Sequence, residues 1–129
     1  MLDIKNIHHV AIIVSDYEKS KKFYTEILGF TIKAETFRKD RNSYKLDLEI
    51  KGNYQIELFS FLTPPKRLTN PEACGLRHLA FEVKNIENEV NKLKKLGVNC
   101  EQIRVDELTG KKFTFFKDPD DTPLELYEA

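Results

Sequence analysis

The sequence predicts an α+β fold made of two tandem copies of a strand–helix–three-strand (βαβββ) module. Three observations support this. Short runs rich in Ile, Val and aromatic residues alternate with two helical patterns of apolar residues. The order of these patterns is the same in both halves of the 129-residue chain, and a proline-containing connection separates the halves. Neither half could bury its helix and its sheet face well alone, so we expect one domain over residues 1–129.

The first module is predicted over residues 1–61. It opens with a run from Ile7 to Val14 whose composition is typical of a strand. Asp16 then offers a side-chain oxygen that can cap a helix, and Gly29 is suited to ending that helix. Further strands are expected near residues 30–37, 43–50 and 54–61, with KGNY as a hairpin-type turn between the last two.

The connection at residues 62–75 contains three prolines and no periodicity, and the second module is predicted over residues 76–129. It repeats the order of the first, with a strand at 76–83, a helix capped by Asn85, and strands near 98–104, 112–117 and 123–127. The offset between the modules is nearly constant, at 69 positions from His9 to His78 and 68 from Glu57 to Glu125. An internal duplication is therefore the simplest interpretation.

Composition bounds the function. The 21 Lys and Arg residues balance 21 Asp and Glu residues, so no global field favours nucleic acid or an anionic membrane, and a small-molecule partner is expected. The longest apolar run near the N-terminus, VAIIV, is far shorter than a signal-peptide core or a membrane span, which favours a cytoplasmic location. Cys74 and Cys100 form no C-x-x-C pair and are predicted to be buried or half-buried free thiols.

Each module places a histidine early in its first strand and a glutamate in its last. Taken singly, each of these residues could be an ordinary strand residue facing solvent. Taken together, two imidazoles and two carboxylates form a ligand set suited to Zn²⁺ or Ni²⁺, and a six-coordinate ion would keep two positions for substrate. The candidates are His9, Glu57, His78 and Glu125. Strand alternation puts His8 on the opposite face, so we interpret His8 as structural or solvated.

At these residues the chain resembles the vicinal oxygen chelate superfamily and, within it, bacterial glyoxalase I, also called lactoylglutathione lyase. The likeness covers nearly the whole chain, and its most specific segments are HHVAIIVSDYEKSKKFYTEILGF and FFKDPDDTPLELYE. The resemblance implies a curved, cup-shaped mixed sheet and a homodimer whose site lies in one chain or between two. It also implies that one divalent ion, Ni²⁺ or Zn²⁺ with Co²⁺ as another possibility, is held by His9, Glu57, His78 and Glu125.

The activity implied by the resemblance is a lyase or isomerase reaction in methylglyoxal detoxification. The hemithioacetal of methylglyoxal and a thiol would chelate the metal through vicinal oxygens and rearrange to a 2-hydroxyacyl thioester, such as S-lactoylglutathione. We assign Glu125 as the principal base, with Glu57 as a ligand and partner base; the near-symmetry of the modules leaves the reverse order open.

Some positions depart from the family pattern. Glutathione-using members carry Arg and Asn where this chain has Ile13 and Phe61, which leaves the identity of the thiol open. Asp121 occupies a turn position where the family usually has Gly. Phe59 shares a strand face with Glu57, and Tyr127 shares one with Glu125. Each aromatic side chain could therefore line the pocket or pack in the core. Four residues could lie at the entrance of the expected pocket, although a solvated charged segment on a surface loop is the simpler interpretation. They are Arg38, Arg41, Tyr44 and Lys45.

Two other classes of function fit the same residues. A metal-dependent epimerase or thiol transferase of this superfamily would keep the metal and change the chemistry. A protein of the bleomycin-resistance type would bind a small molecule without catalysis, but it would have no use for four ligand-type residues.

Overall fold

The computed structural model describes all 129 residues and contains two compact units, Met1–Pro65 and Lys66–Ala129. Each unit has a four-stranded mixed sheet and one main helix, in the order strand, helix, three strands. The predicted α+β class with tandem βαβββ modules is therefore confirmed. The boundary between the units falls inside the predicted connection at residues 62–75.

The first unit contains β1 (Val10–Val14), α1 (Tyr17–Lys22), β2 (Thr31–Arg38), β3 (Ser43–Ile50) and β4 (Asn53–Ser60), in the sheet order β1-β4-β3-β2. Only the β1–β4 pair is parallel. The Asp16 carboxylate accepts a hydrogen bond from the Lys19 N–H, as the capping pattern predicts. A π-helical segment over Phe23–Ile27 extends α1, and Gly29 follows it with φ of 78°.

The hairpin between β3 and β4 turns at Lys51 and Gly52, which both have positive φ. Positive φ at both central residues is typical of the turn that matches strand twist in a two-residue hairpin. This confirms the turn predicted from KGNY and fixes β4 beside β3.

The second unit contains β5 (Leu79–Val83), α2 (Ile86–Lys95), β6 (Arg104–Val105), β7 (Lys112–Lys117) and β8 (Pro123–Glu128), in the sheet order β5-β8-β7-β6. The β5–β8 pair is parallel, as β1–β4 is in the first unit. Asn85 caps α2 by accepting from the Asn88 N–H, and the Glu128 carboxylate accepts from the Ile86 N–H. The start of α2 is thereby tied to the strand β8.

One face of each sheet is apolar and buried, while the opposite face carries the polar candidates. Complete burial of a large aliphatic side chain contributes about 1.5–3 kcal/mol, so these inner faces supply much of the stability. The inner-face strand residues of the first sheet are Ile12, Val14, Leu46, Leu48, Ile56 and Leu58, and those of the second include Phe116, Leu124 and Leu126.

Three details of the predictions were wrong. The strand expected at residues 98–104 is only the two-residue β6, because residues 98–103 form no ladder. The first strand of each unit starts later than expected, so His9 and His78 each lie one residue before β1 and β5. Cys74 is exposed rather than buried, whereas Cys100 is half-buried and free as expected.

No helix has the length and apolar character needed to cross a membrane.

Candidate metal centre

The first unit brings His9 and Glu57 together. Parallel pairing of β1 and β4 puts Ala11 opposite Glu57, and His9 lies two residues before Ala11. The His9 Nε2 atom is 3.5 Å from Glu57 Oε2. Glu57 is only 5% exposed, although it is a carboxylate, and such burial is costly unless the charge has partners.

Polar neighbours surround Glu57. The Tyr54 hydroxyl donates a hydrogen bond to Glu57 and lies 3.2 Å from Asp47 Oδ1. A single hydroxyl hydrogen cannot serve both carboxylates fully, and the contact with Glu57 is the closer one. The Lys45 ammonium lies 3.3 Å from Asp47 and 3.8 Å from Glu57. These contacts compensate the buried charge of Glu57 and fix the orientation of its carboxylate.

His8 lies beside His9, contrary to the prediction that placed it on the opposite face. The two Nδ1 atoms are 2.7 Å apart, and the His8 ring also packs edge-on against Tyr54. Strand alternation fails here because the strand begins only at Val10. A hydrogen on His9 Nδ1 that is donated to His8 leaves the Nε2 lone pair on the side of Glu57, which is the tautomer of a metal-binding imidazole.

The second unit repeats this arrangement with His78 and Glu125. Ala80 pairs with Glu125 across the parallel β5–β8 ladder, in the same register as Ala11 and Glu57. The His78 Nε2 atom is 3.7 Å from Glu125 Oε1, and Glu125 is 9% exposed. The duplicated sequence therefore gives duplicated geometry.

The surroundings of the two glutamates differ. Asp47 lies across the ladder from Glu57, whereas Phe115 lies across from Glu125. Phe115 packs edge-to-face against the His78 ring with centroids 5.1 Å apart. Glu57 is thus held among polar groups, and Glu125 lies beside an aromatic ring.

The donor atoms of each pair fit a shared divalent ion. Two ligand atoms bound at about 2.0–2.2 Å and near the tetrahedral angle lie roughly 3.4 Å apart, close to the 3.5 and 3.7 Å found here. Imidazole nitrogen and carboxylate oxygen are also donors that Zn²⁺ and Ni²⁺ accept. Within neither unit do three or more His, Cys, Asp or Glu side chains gather as a complete metal cage. Each unit supplies two of the four predicted ligands.

The other residues singled out from the sequence take different places. Ile13 and Phe61 are 55% and 43% exposed, so neither offers a polar contact to a peptide-like thiol. Arg38 donates to Ser43 and lies 4.8 Å from the Phe59 ring centroid, on the face that carries Glu57. The Tyr127 hydroxyl donates to Asp106. Of the remaining rim candidates, Lys45 lies at Glu57, Tyr44 stacks on Tyr17, and Arg41 is exposed in a 3₁₀ turn.

Sequence reasoning missed Tyr54. Three positions separate Tyr54 from Glu57, and simple alternation would put them on opposite faces. A register shift lets β4 accommodate one extra residue, since Leu48 pairs with Ile56 but Glu49 pairs with Tyr54. Such a bulge resets the alternation and turns the Tyr54 ring towards Glu57. No pattern in the sequence marks this position.

With the fold and the paired His–Glu geometry established, comparison with known proteins gives the class of the protein. The family model of the Glyoxalase/Bleomycin resistance protein/Dioxygenase superfamily matches residues 6–126. The chain therefore belongs to this superfamily, also called the vicinal oxygen chelate superfamily, as the sequence motifs predicted.

Similar proteins occur in several bacteria. The chain is 61% identical over 125 residues to YwkD, an uncharacterised protein of Bacillus subtilis, with 97% of this chain and 98% of the relative covered. It is 58% identical over 128 residues to the uncharacterised Escherichia coli protein YaeR, with 99% of each covered. The crystal structure of a glyoxalase family protein from Enterococcus faecalis matches with a TM-score of 0.91 and 48% identity, over 98% of this chain and 100% of that chain.

More distant relatives have named activities. The human mitochondrial methylmalonyl-CoA epimerase is 30% identical over 135 residues, with 98% of this chain and 76% of the relative covered. The metallothiol transferase FosB of Staphylococcus saprophyticus is 31% identical over 126 residues, with 96% and 77% covered.

Proposed function

We propose that this protein is a metal-dependent lyase or isomerase of the glyoxalase I type. It converts the hemithioacetal of methylglyoxal and a thiol into a 2-hydroxyacyl thioester, and so removes methylglyoxal. The observation that carries the proposal is the repeated His–Glu pair, His9 with Glu57 and His78 with Glu125, in one ladder register and at nearly the same separation.

In this proposal the two pairs hold one divalent ion, Ni²⁺ or Zn²⁺, with Co²⁺ as a further candidate. The pairs come from one chain or from the two chains of a homodimer, and the protein works in the cytoplasm. When bound, the ion polarises the vicinal oxygens of the substrate and makes the adjacent C–H more acidic. His9 and His78 contribute neutral imidazole nitrogen, and Glu57 contributes an oriented carboxylate.

The division of labour follows from the surroundings of the two glutamates. The Tyr54 hydroxyl and the Lys45 ammonium contact the Glu57 carboxylate and hold it in one orientation, as is expected of a permanent metal ligand. Glu125 has an aromatic neighbour across the ladder, so its carboxylate is less restrained and suits proton transfer. Glu125 takes the proton from C1 of the hemithioacetal and returns it at C2.

An epimerase acting on an acyl thioester is the second candidate. Its chemistry is also proton removal and return beside a carbonyl group, so it would use the same glutamates. The 30% identity to methylmalonyl-CoA epimerase favours it, as do the apolar residues Ile13 and Phe61 at the positions that glutathione-using members fill with polar ones. The 31% identity to FosB supports a thiol-transferase variant of this alternative.

The test is reconstitution of the metal-free protein with Ni²⁺, Co²⁺ or Zn²⁺, followed by a thioester-formation assay with methylglyoxal and a series of thiols. We expect one equivalent of metal per site and metal-dependent turnover. At equimolar metal, Glu57→Gln should bind less metal and turn over more slowly, while the matched variant Glu49→Gln on the neighbouring strand should behave like the wild type. Metal binding without turnover for any thiol would favour the epimerase, and absence of metal binding would contradict both enzyme proposals.

A further inference from the structure

The second unit contains a cavity of about 190 Å³ beside His78. We call it the Arg104 cavity; it is lined by His78, Phe115, Arg77, Arg104, Glu72 and Glu101, among others. One of the proposed metal ligands thus forms part of its wall. A molecule that reaches the metal from this side would pass two guanidinium groups.

Aromatic rings hold the Arg104 guanidinium in place. Arg104 pairs with Phe113 in the β6–β7 ladder, and its Cζ atom lies 4.9 Å from the Phe113 ring centroid and 5.9 Å from that of Phe115. Phe115 also contacts the His78 ring. The side chain is 54% exposed, so these contacts orient the cation while leaving it accessible to a ligand, and only one aromatic ring separates it from His78.

The acidic neighbours of the two arginines are at the surface. Arg104 lies 3.1 Å from Glu101, and Arg77 lies 2.6 Å from Glu72. Both glutamate side chains are 60% exposed, and ion pairs so accessible to solvent contribute little to stability. A carboxylate on a ligand could replace Glu101 at the guanidinium with the same hydrogen-bonding chemistry.

We propose that the Arg104 cavity binds a carboxylate carried by the substrate, with Arg104 as its counter-ion. The cavity measures about 190 Å³ and is open to solvent, which is enough for a carboxylate on a short carbon chain. This inference rests on the proposed function and narrows its substrate class. In this proposal, the thiol of the hemithioacetal itself carries a carboxylate.

The first test measures binding in the metal-free protein and needs no turnover. Propionate is titrated at constant ionic strength while the Arg side-chain Nε–Hε signals are followed by NMR, with the uncharged propionamide as the comparison ligand. We expect propionate, and not propionamide, to shift the Arg104 signal. Arg104→Gln should weaken propionate binding at least tenfold. Lys111→Gln, which removes one positive charge from an exposed turn of the same unit, should leave it unchanged.

The second test uses the reconstituted enzyme with methylglyoxal and either 3-mercaptopropionate or 3-mercaptopropionamide. The acid should give at least tenfold higher kcat/KM, and Arg104→Gln should abolish that preference by raising KM for the acid only. Arg104→Lys, which keeps the charge without the planar fork, should restore part of it. Fold retention of each variant is checked from the dispersion of its amide NMR spectrum.

The outcomes separate the two proposals. Propionate binding at Arg104 without turnover on any thiol supports the cavity and contradicts the glyoxalase-type activity. Turnover with equal kcat/KM for acid and amide, or an Arg104 signal that propionate does not move, overturns the carboxylate inference and leaves the proposed function standing.

Discussion

The Tyr54 hydroxyl donates a hydrogen bond to the buried Glu57 carboxylate across a bulge in β4. The equivalent contact is missing from the second module, where Thr122 holds the position that Tyr54 has in the first. The two halves of the candidate site are therefore alike in their His–Glu pairs and different in what restrains each carboxylate.

Removing the Tyr54 hydroxyl should weaken metal binding. In Tyr54→Phe, Glu57 loses its donor while the ring and its packing against His8 remain. Outer hydrogen-bond partners of metal ligands typically change metal affinity by about 10–100-fold, so we expect at least a tenfold loss in competition with a chromophoric chelator. Tyr44→Phe is the control because Tyr44 stacks on Tyr17 and has no contact with Glu57. Equal affinities for the two variants would contradict a positioning role.

The two glutamates should respond differently to neutralisation. Glu125→Gln should lower kcat by about 10²–10⁴-fold at saturating metal, because the proton acceptor is lost. Glu57→Gln should mainly lower metal affinity, so that added metal restores part of the turnover. Metal titrations of both variants, followed by the thioester assay, measure the two effects separately. A larger kcat loss at saturating metal in Glu57→Gln would reverse the assignment.

Low pH should reduce the stability of the first unit because Glu35 becomes protonated. The hydrogen bonds from the Lys21 ammonium and then the Tyr17 hydroxyl lower the pKa of Glu35. A carboxylate with a lowered folded-state pKa stabilises above its unfolded pKa of about 4.3, and this contribution disappears as pH falls through the folded value.

The measurement is urea unfolding between pH 3 and pH 7. Near neutrality, the free energy of unfolding of the wild type should exceed that of Glu35→Gln by less than about 1 kcal/mol, because the Glu35 side chain is 35% exposed. This difference should shrink below about pH 4. Glu107→Gln, a change at an exposed turn, should not alter the shape of the wild-type curve. If the difference in free energy of unfolding between wild type and Glu35→Gln grew on acidification, the Glu35 pKa would not be lowered by folding.

The turn before β8 should gain stability from glycine. Asp121 has φ of 62°, in the left-handed region, within a turn where the Asp118 carboxylate accepts from the N–H groups of Asp120 and Thr122. Asp121→Gly should raise the free energy of unfolding by about 0.5–1 kcal/mol, and Asp121→Val should lower it because β-branched residues resist this conformation. Calorimetric Tm values check both. If glycine gives a lower Tm than Asp, backbone strain is not the dominant effect at this position.

The sequence by itself determined the βαβββ duplication, the hairpin turn at Lys51–Gly52 and the family, because these depend on local periodicity, turn chemistry and motif spacing. It also singled out the histidines and glutamates, since the constant offset makes each residue appear twice. It could not show that His9 meets Glu57, because 48 positions separate them in the chain and only the parallel β1–β4 ladder brings them together.

Tertiary structure decided what surrounds those residues. The bulge in β4 gives Tyr54 to Glu57, the late start of β1 places His8 against His9, and pairing of the short β6 with β7 lays Arg104 over Phe113. Each depends on where ladder pairing shifts or begins, which is fixed by contacts between distant segments. The alternation of residues along a strand does not show where pairing starts or where a bulge shifts it, so these contacts could not be predicted from the sequence.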